Sequence, residues 1–206
     1  MPKHHKFWDK ISKRYAKSSL SDPDAYEQKV KTIESHLTPD MEVMEFGCGT
    51  GSTAIRLAPL AKHILATDFS SEMLKIAREK AVESNIQNVT FQQSSIDEFN
   101  APDESYDIIM GMSILHLLKD EKATIRKVYQ LLKPGGLFIS NTFCMGDNMR
   151  FIKYIAPAGQ FFGFLPLLNI FTKGDLIKNL EKPGFKIDHL WQSEKGKSVF
   201  IVAGKT

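Results

Sequence analysis

The sequence predicts an α/β fold built on one doubly wound sheet, mostly parallel, with an antiparallel C-terminal hairpin strand. Three observations predict it. Short apolar runs alternate with longer amphipathic runs, which is the pattern of strand–helix–strand units. The first apolar run leads into a glycine loop and then into an amphipathic run, Val43-Met44-Glu45-Phe46-Gly47-Cys48-Gly49-Thr50-Gly51. Near the end, two apolar runs are separated by Glu194-Lys195-Gly196-Lys197, a turn-forming stretch that predicts a hairpin.

In chain order, the first 38 residues have a helical, amphipathic pattern and form an arm ahead of the first strand. Strands are predicted at 42–46, 63–67, 89–92, 106–110 and 137–142, and the hairpin pair at 186–191 and 198–203. Helices are predicted at 53–60, 71–84, 121–132 and 175–181. In the second of these, Met73, Leu74, Ala77 and Ala81 make an apolar stripe at helical spacing. Leu132-Lys133-Pro134-Gly135-Gly136 supplies a Pro–Gly stop after the third, and Thr172-Lys173-Gly174-Asp175 a capping arrangement before the fourth. Neither an internal repeat nor a low-complexity linker interrupts the 206 residues, which predicts one domain with its arm at 1–38 and an insertion at 147–174.

Composition excludes several classes. Hydrophobic residues at 42% and charged residues at 25% are those of a globular chain and not of a disordered one. Cys48 and Cys144 cannot make a disulfide framework, and MPKHHKFWDK lacks the apolar run of a signal peptide, so a cytoplasmic protein is expected. The apolar stretch 151–171 contains Lys153, Pro157, Gly159, Gly163 and Pro166, which disqualifies it as a spanning helix. The six histidines have no ligand spacing, so no metal site is expected. The net charge of +3 hides an uneven distribution. Residues 1–20 hold six bases against one acid, residues 21–146 hold 12 against 18, and residues 147–206 hold nine against five.

The glycine loop is the most informative segment, because glycine allows positive φ and the close approach of a ligand to the backbone. A dinucleotide fingerprint would place glycine at position 52, where the chain has Ser52. Glu45 at the strand tip instead favours a ligand that carries an ammonium group.

With Ile64-Leu65-Ala66-Thr67-Asp68-Phe69-Ser70, Ser71-Glu72-Met73-Leu74, Ser105-Tyr106-Asp107-Ile108-Ile109, Leu115-His116 and Leu131-Leu132-Lys133-Pro134-Gly135-Gly136 in that order, the chain resembles the class I S-adenosylmethionine-dependent methyltransferases. The likeness is greatest to their small-molecule branch, which contains the ubiquinone and menaquinone methyltransferases. It covers about residues 42–143 and implies a Rossmann-like sheet with S-adenosyl-L-methionine as cofactor. By this resemblance Gly47, Gly49 and Gly51 wrap the methionine portion, and Glu45 faces its ammonium, often through water. Asp68 accepts from both ribose hydroxyls. Phe69 packs on the adenine or serves as a core aromatic. Met73, Ile96 and Met112 are further cofactor contacts. Ser95 stands where the family has an acidic residue at the adenine edge, and Asp97 is the alternative there.

Toward the acceptor, the resemblance makes His116 a base or substrate contact, or a packed histidine. It makes Tyr15 a residue over the methyl group, or a packing face of the arm. The Phe-rich stretch 151–171, with Phe161, Phe162 and Phe164, occupies the family's variable substrate lid, or serves core packing or a dimer contact. After the fourth strand the chain reads Met110-Gly111-Met112-Ser113-Ile114, without the Asn/Asp-Pro-Pro-Tyr/Phe of adenine-N6 and glutamine methylation. It also lacks the acid that catechol-type enzymes give to magnesium there. No Pro-Cys pair supports cytosine-C5 chemistry.

The expected activity is metal-independent methyl transfer to a small, apolar or membrane-associated acceptor, lipid-like or quinol. An RNA or protein methyltransferase and a non-catalytic S-adenosylmethionine-binding protein are the rivals. The basic ends are expected to face an acidic acceptor or an anionic membrane surface, and no nucleic acid is expected.

Overall fold

A computed structural model describes residues 5–18, 21–149, 152, 165–192 and 198–206. It places α1 (His5–Lys17), α2 (Pro23–Glu34), β1 (Glu42–Phe46), α3 (Ser52–Leu57), β2 (His63–Asp68), α4 (Ser71–Glu83), β3 (Val89–Gln93), β4 (Tyr106–Met112), α5 (Glu121–Leu131) and β5 (Leu132–Phe143). After these come α6 (Met145–Asn148), α7 (Lys173–Glu181), β6 (Phe185–Gln192) and β7 (Ser198–Lys205). One sheet holds the seven strands in the order β3-β2-β1-β4-β5-β7-β6. Every pairing is parallel except those of β7, which runs antiparallel to both β5 and β6. The order reverses between β1 and β4. In such sheets the crevice at the carboxyl ends of the strands flanking that point is where ligands bind.

Strand alternation divides the core between the two faces. Val43, Ile108 and Met110 pack with Val30 and Ile33 of α2, Ala54 and Leu57 of α3, and Leu74 of α4. Met44, Phe46 and Ile109 point the other way, toward Ile125 and Val128 of α5 and Leu176 and Leu180 of α7. The same alternation puts Glu45 on the α3 side, where its side chain is buried. α5 and α7 are joined through a buried polar clamp, since the Glu121 carboxylate accepts from the side-chain amides of Asn169 and Asn179.

The predicted elements stand where expected, and their edges differ for local reasons. α3 stops at Leu57 and 58–60 tighten into a 3-10 turn, because Pro59 has no amide to continue the α ladder. α5 ends one residue early, at Leu131, and strand pairing resumes at once with Leu132 opposite Tyr106. The next partners are Ile108 and Leu137, so Lys133–Gly136 bulge out of the ladder, with Gly135 at φ 76. α7 begins at Lys173, two residues earlier than predicted. Thr172 and Asp175 cap it reciprocally, the Asp175 N–H donating to Thr172 Oγ1 and the Thr172 N–H to Asp175 Oδ2, both at 3.0 Å. The hairpin turn at 194–197 and Phe161, Phe162 and Phe164 lie outside the described residues.

Candidate functional site

The site begins where β1 gives way to its loop. Gly47, Gly49 and Gly51 take φ values of 66, 54 and 72, in the left-handed region that favours glycine. Their surroundings differ. A Cβ on Gly47 would meet Ile114 Cγ1 at 2.5 Å, and one on Gly51 would meet Ala77 Cβ and Phe91 Cε1 at 2.8 Å. At Gly49 the nearest atom would be Tyr15 Cε1 at 3.8 Å. The outer glycines therefore let the loop pack on the protein, whereas the middle one leaves room on the side of Tyr15.

Asp68, at the end of β2, is buried and fastened to this loop. One carboxylate oxygen accepts the Gly49 N–H and the other the Ser70 N–H, each at 2.9 Å. Burial pushes its carboxyl above the usual range against the pull of these bonds, and the Asp9 carboxylate adds to the rise. Glu45 is also buried. It accepts a backbone hydrogen bond from Ala54, while its Oε2 has no hydrogen-bond partner among the described residues. Burial first, and the charge of Asp68 after it, raise its carboxyl to about 8.

A cavity of about 530 Å³ opens beside the loop. Gly47, Gly49, Asp68, Phe69, Met73, Ser95, Ile96 and Met112 line it, as does Tyr15 from the arm. Phe69 is half-buried and belongs to neither apolar core cluster. Ser95 and Asp97 both reach the cavity wall. Three of the sequence-derived candidates do not line it. Glu45 is buried at the end of β1, Gly51 packs against Ala77 and Phe91, and His116 is buried against Thr142.

His116 is buried. It sits in a 3-10 turn, Leu115–Leu117, where neither strand nor helix periodicity says which way a side chain points. Its Nδ1 pairs with Thr142 Oγ1 at 3.2 Å, its ring meets Phe143 edge-on at 5.2 Å, and its carbonyl accepts the Asn169 N–H at 2.8 Å. Burial pushes its imidazole down to about 4. The unfolded imidazole takes up its proton near 6.5 and the folded one only near 4. Stability is therefore full above pH 6.5 and lost as the pH falls toward 4. Denaturant unfolding across that window should show the wild type losing on the order of 3 kcal/mol relative to His116→Gln. Parallel pH profiles for the two proteins would refute the assignment.

Residues that the sequence did not single out complete the wall: Trp8 on α1, Ser113 and Ile114 after β4, Leu117, Leu118 and Lys119 in the next turn, and Pro166 and Leu167. Ser113 holds a positive φ of 59 and is fixed by Asn141, whose carbonyl accepts its N–H at 2.7 Å and whose side-chain amide donates to its Oγ at 3.0 Å. Trp8 and Tyr15 pack edge to face with centroids 6.2 Å apart. They arrive because α1 is pinned to the start of α4. The Asp9 carboxylate accepts from the Ser70 hydroxyl at 2.6 Å and from the Glu72 N–H at 3.4 Å. Burial raises the Tyr15 hydroxyl above its ordinary range, and Asp68 and Glu45 add to the shift. Among the described residues, no group of three or more His, Cys, Asp or Glu side chains is placed to hold a metal ion.

Comparison with known proteins bears on the same residues. A family model described as a methyltransferase domain matches residues 37–200. The chain is 32% identical over 110 residues to the uncharacterized methyltransferase YcgJ of Bacillus subtilis, covering 53% of this chain and 43% of that protein. It is 31% identical over 140 residues to the demethylmenaquinone methyltransferase of Listeria monocytogenes serotype 4a, covering 65% of this chain and 59% of that one. The chain thus spans less than two thirds of the length of these curated relatives. The crystal structure of an S-adenosylmethionine-dependent methyltransferase from Mesorhizobium loti superposes with a TM-score of 0.72 at 19% identity, covering 89% of this chain and 99% of that one, and shares the fold.

Proposed function

Since the chain belongs to the S-adenosylmethionine-dependent methyltransferases, we propose that it methylates a small, apolar or membrane-associated acceptor by in-line transfer without a catalytic metal ion. One observation carries this reading. A single cavity of about 530 Å³ joins the glycine loop and Asp68 to a wall of Trp8, Leu117, Leu118, Pro166 and Leu167. Such a wall favours an apolar partner. A relative named demethylmenaquinone methyltransferase supports the quinol class of acceptor.

The residues present fit the cofactor. Glu45 Oε2 is a buried acceptor without a partner, as an ammonium nearby would require. Gly49 leaves space where a side chain would intrude. Each Asp68 oxygen accepts one backbone N–H and keeps lone-pair capacity for a ribose hydroxyl. Glu45 and the loop glycines would hold the methionine portion. Asp68 would hold the ribose, and Phe69, Ile96 and Ser95 or Asp97 the adenine. When bound, the cofactor supplies an electrophilic methyl on a sulfonium.

The chain's own part is then alignment and exclusion of water, the terms on which a displacement of this kind depends. Trp8 and Tyr15 close one side, and Tyr15, with its hydroxyl held above the ordinary range, stays protonated at neutral pH, a hydrogen-bond donor and not a base. His116, packed against Thr142 and Phe143, takes no part at the acceptor. The direct test is incubation with methyl-labelled cofactor and separate lipid, quinol, phenol, RNA and protein fractions. Label is expected in an apolar small-molecule fraction. Label confined to RNA or protein would overturn the acceptor class, and bound cofactor with no transfer to any fraction would overturn the activity.

A further inference from the structure

The arm has a second face. Lys6, Lys10, Lys13, Arg14 and Lys17 of α1 are all exposed. At 100° per residue they fall within an arc of about 100° on the helix. Trp8 and Tyr15, the cavity-lining pair, lie on the opposite side of the same helix. Asp9 is the helix's one acid, and its carboxylate is taken up by Ser70 and Glu72, so it does not neutralise the stripe. Among the described residues no ion pair or hydrogen bond engages the five cationic side chains.

The rest of the molecule sharpens the contrast. Residues 21–146 hold 12 bases against 18 acids, so α1 is a cationic ridge on an acidic body. The ridge is straight and runs about 16 Å, at 1.5 Å per residue, from Lys6 to Lys17. Because the charges form one convex line, they complement a plane of negative charge better than a shaped acidic pocket. We propose that this face of α1 docks the protein on an anionic bilayer. This deepens the reading of a membrane-associated acceptor and rests on it. The bilayer would then lie about one helix diameter from the cavity, on the far side of the helix that carries Trp8 and Tyr15.

Vesicle sedimentation tests the proposal without any methyl transfer. The wild type is expected to sediment with vesicles of about 30% phosphatidylglycerol in phosphatidylcholine and not with phosphatidylcholine alone, and to be released by salt. Lys10→Glu/Lys13→Glu/Arg14→Glu should lower the partition coefficient by about a hundredfold or more, given the gain of each cation near such a surface. Its affinity for S-adenosylhomocysteine should not change, because none of the three lines the cavity. Should reversal prevent folding, Lys6→Gln/Lys17→Gln is the milder variant, with an expected loss of about thirtyfold. Binding that ignores lipid charge, or variants that sediment like the wild type, would overturn the proposal. So would a wild type that ignores both vesicles and binds a small acidic carrier protein instead. Failure to bind S-adenosylhomocysteine would count against the proposed function and leave the vesicle result standing.

Discussion

Replacing Asp68 with alanine is expected to weaken S-adenosylhomocysteine binding by at least about a hundredfold. Two charge-assisted hydrogen bonds to ribose hydroxyls, at about 1.5–3 kcal/mol each, account for that much. A second loss compounds it. Asp68 also accepts the Gly49 and Ser70 N–H groups, so alanine frees the glycine loop at one end and the start of α4 at the other. Asp68→Asn separates the two effects. The amide keeps the shape and can still accept one of the backbone donors, but it cannot serve as a two-oxygen acceptor. It also removes a carboxylate whose burial pushes its pKa upward, and that relief offsets the lost loop bond. Calorimetric titration and thermal melts should therefore show Asp68→Asn losing most of the affinity while melting within a few degrees of the wild type. An Asp68→Asn protein that binds within about threefold of the wild type would remove Asp68 from the site.

The reason the place of Asp68 at the cavity could be read from the chain is that its signals are local. A buried strand ends in an acid, and a capping serine follows at once, as Ser70 does for α4 through the Met73 N–H at 3.2 Å. The glycine loop is legible for the same reason, because φ is a property of one residue and leaves its trace at that residue. The arm is different. That 5–17 forms a helix follows from its pattern, but the bond that pins it joins Asp9 to Ser70, 61 residues away, and no period or motif encodes such a pairing. Trp8 was hidden with it. Leu167 and Pro166 were hidden in the same way, since their segment is set by Asn169, which donates its backbone N–H to His116 and its side-chain amide to Glu121. At Ser95 and Asp97 the local pattern was already ambiguous, and both side chains reach the cavity.

Glu45 offers the strongest test of how the site handles charge. Unfolded, its carboxyl titrates near 4.5; folded, burial and the neighbouring Asp68 raise it to about 8, although Ala54 donates a hydrogen bond to it. Between those values the folded chain holds a proton that the unfolded chain has released. Stability therefore falls as the pH rises from 4.5 to 8 and levels off above, and Glu45→Gln should remove that slope. A ligand ammonium near Glu45 reverses the balance, because an adjacent positive charge favours the ionised carboxylate. Cofactor binding at pH 7 should then expel close to one proton, a quantity read from binding heats in two buffers of different ionisation enthalpy. The Glu45→Gln variant should release none and bind about tenfold to a hundredfold more weakly, as expected when a charged partner is lost. Identical proton release in variant and wild type would place the proton elsewhere, and Tyr15, whose hydroxyl is raised above 10, cannot supply it at that pH. Unchanged affinity would separate Glu45 from the ligand altogether. The buried carboxylate would then be a cost to the fold that binding does not recover.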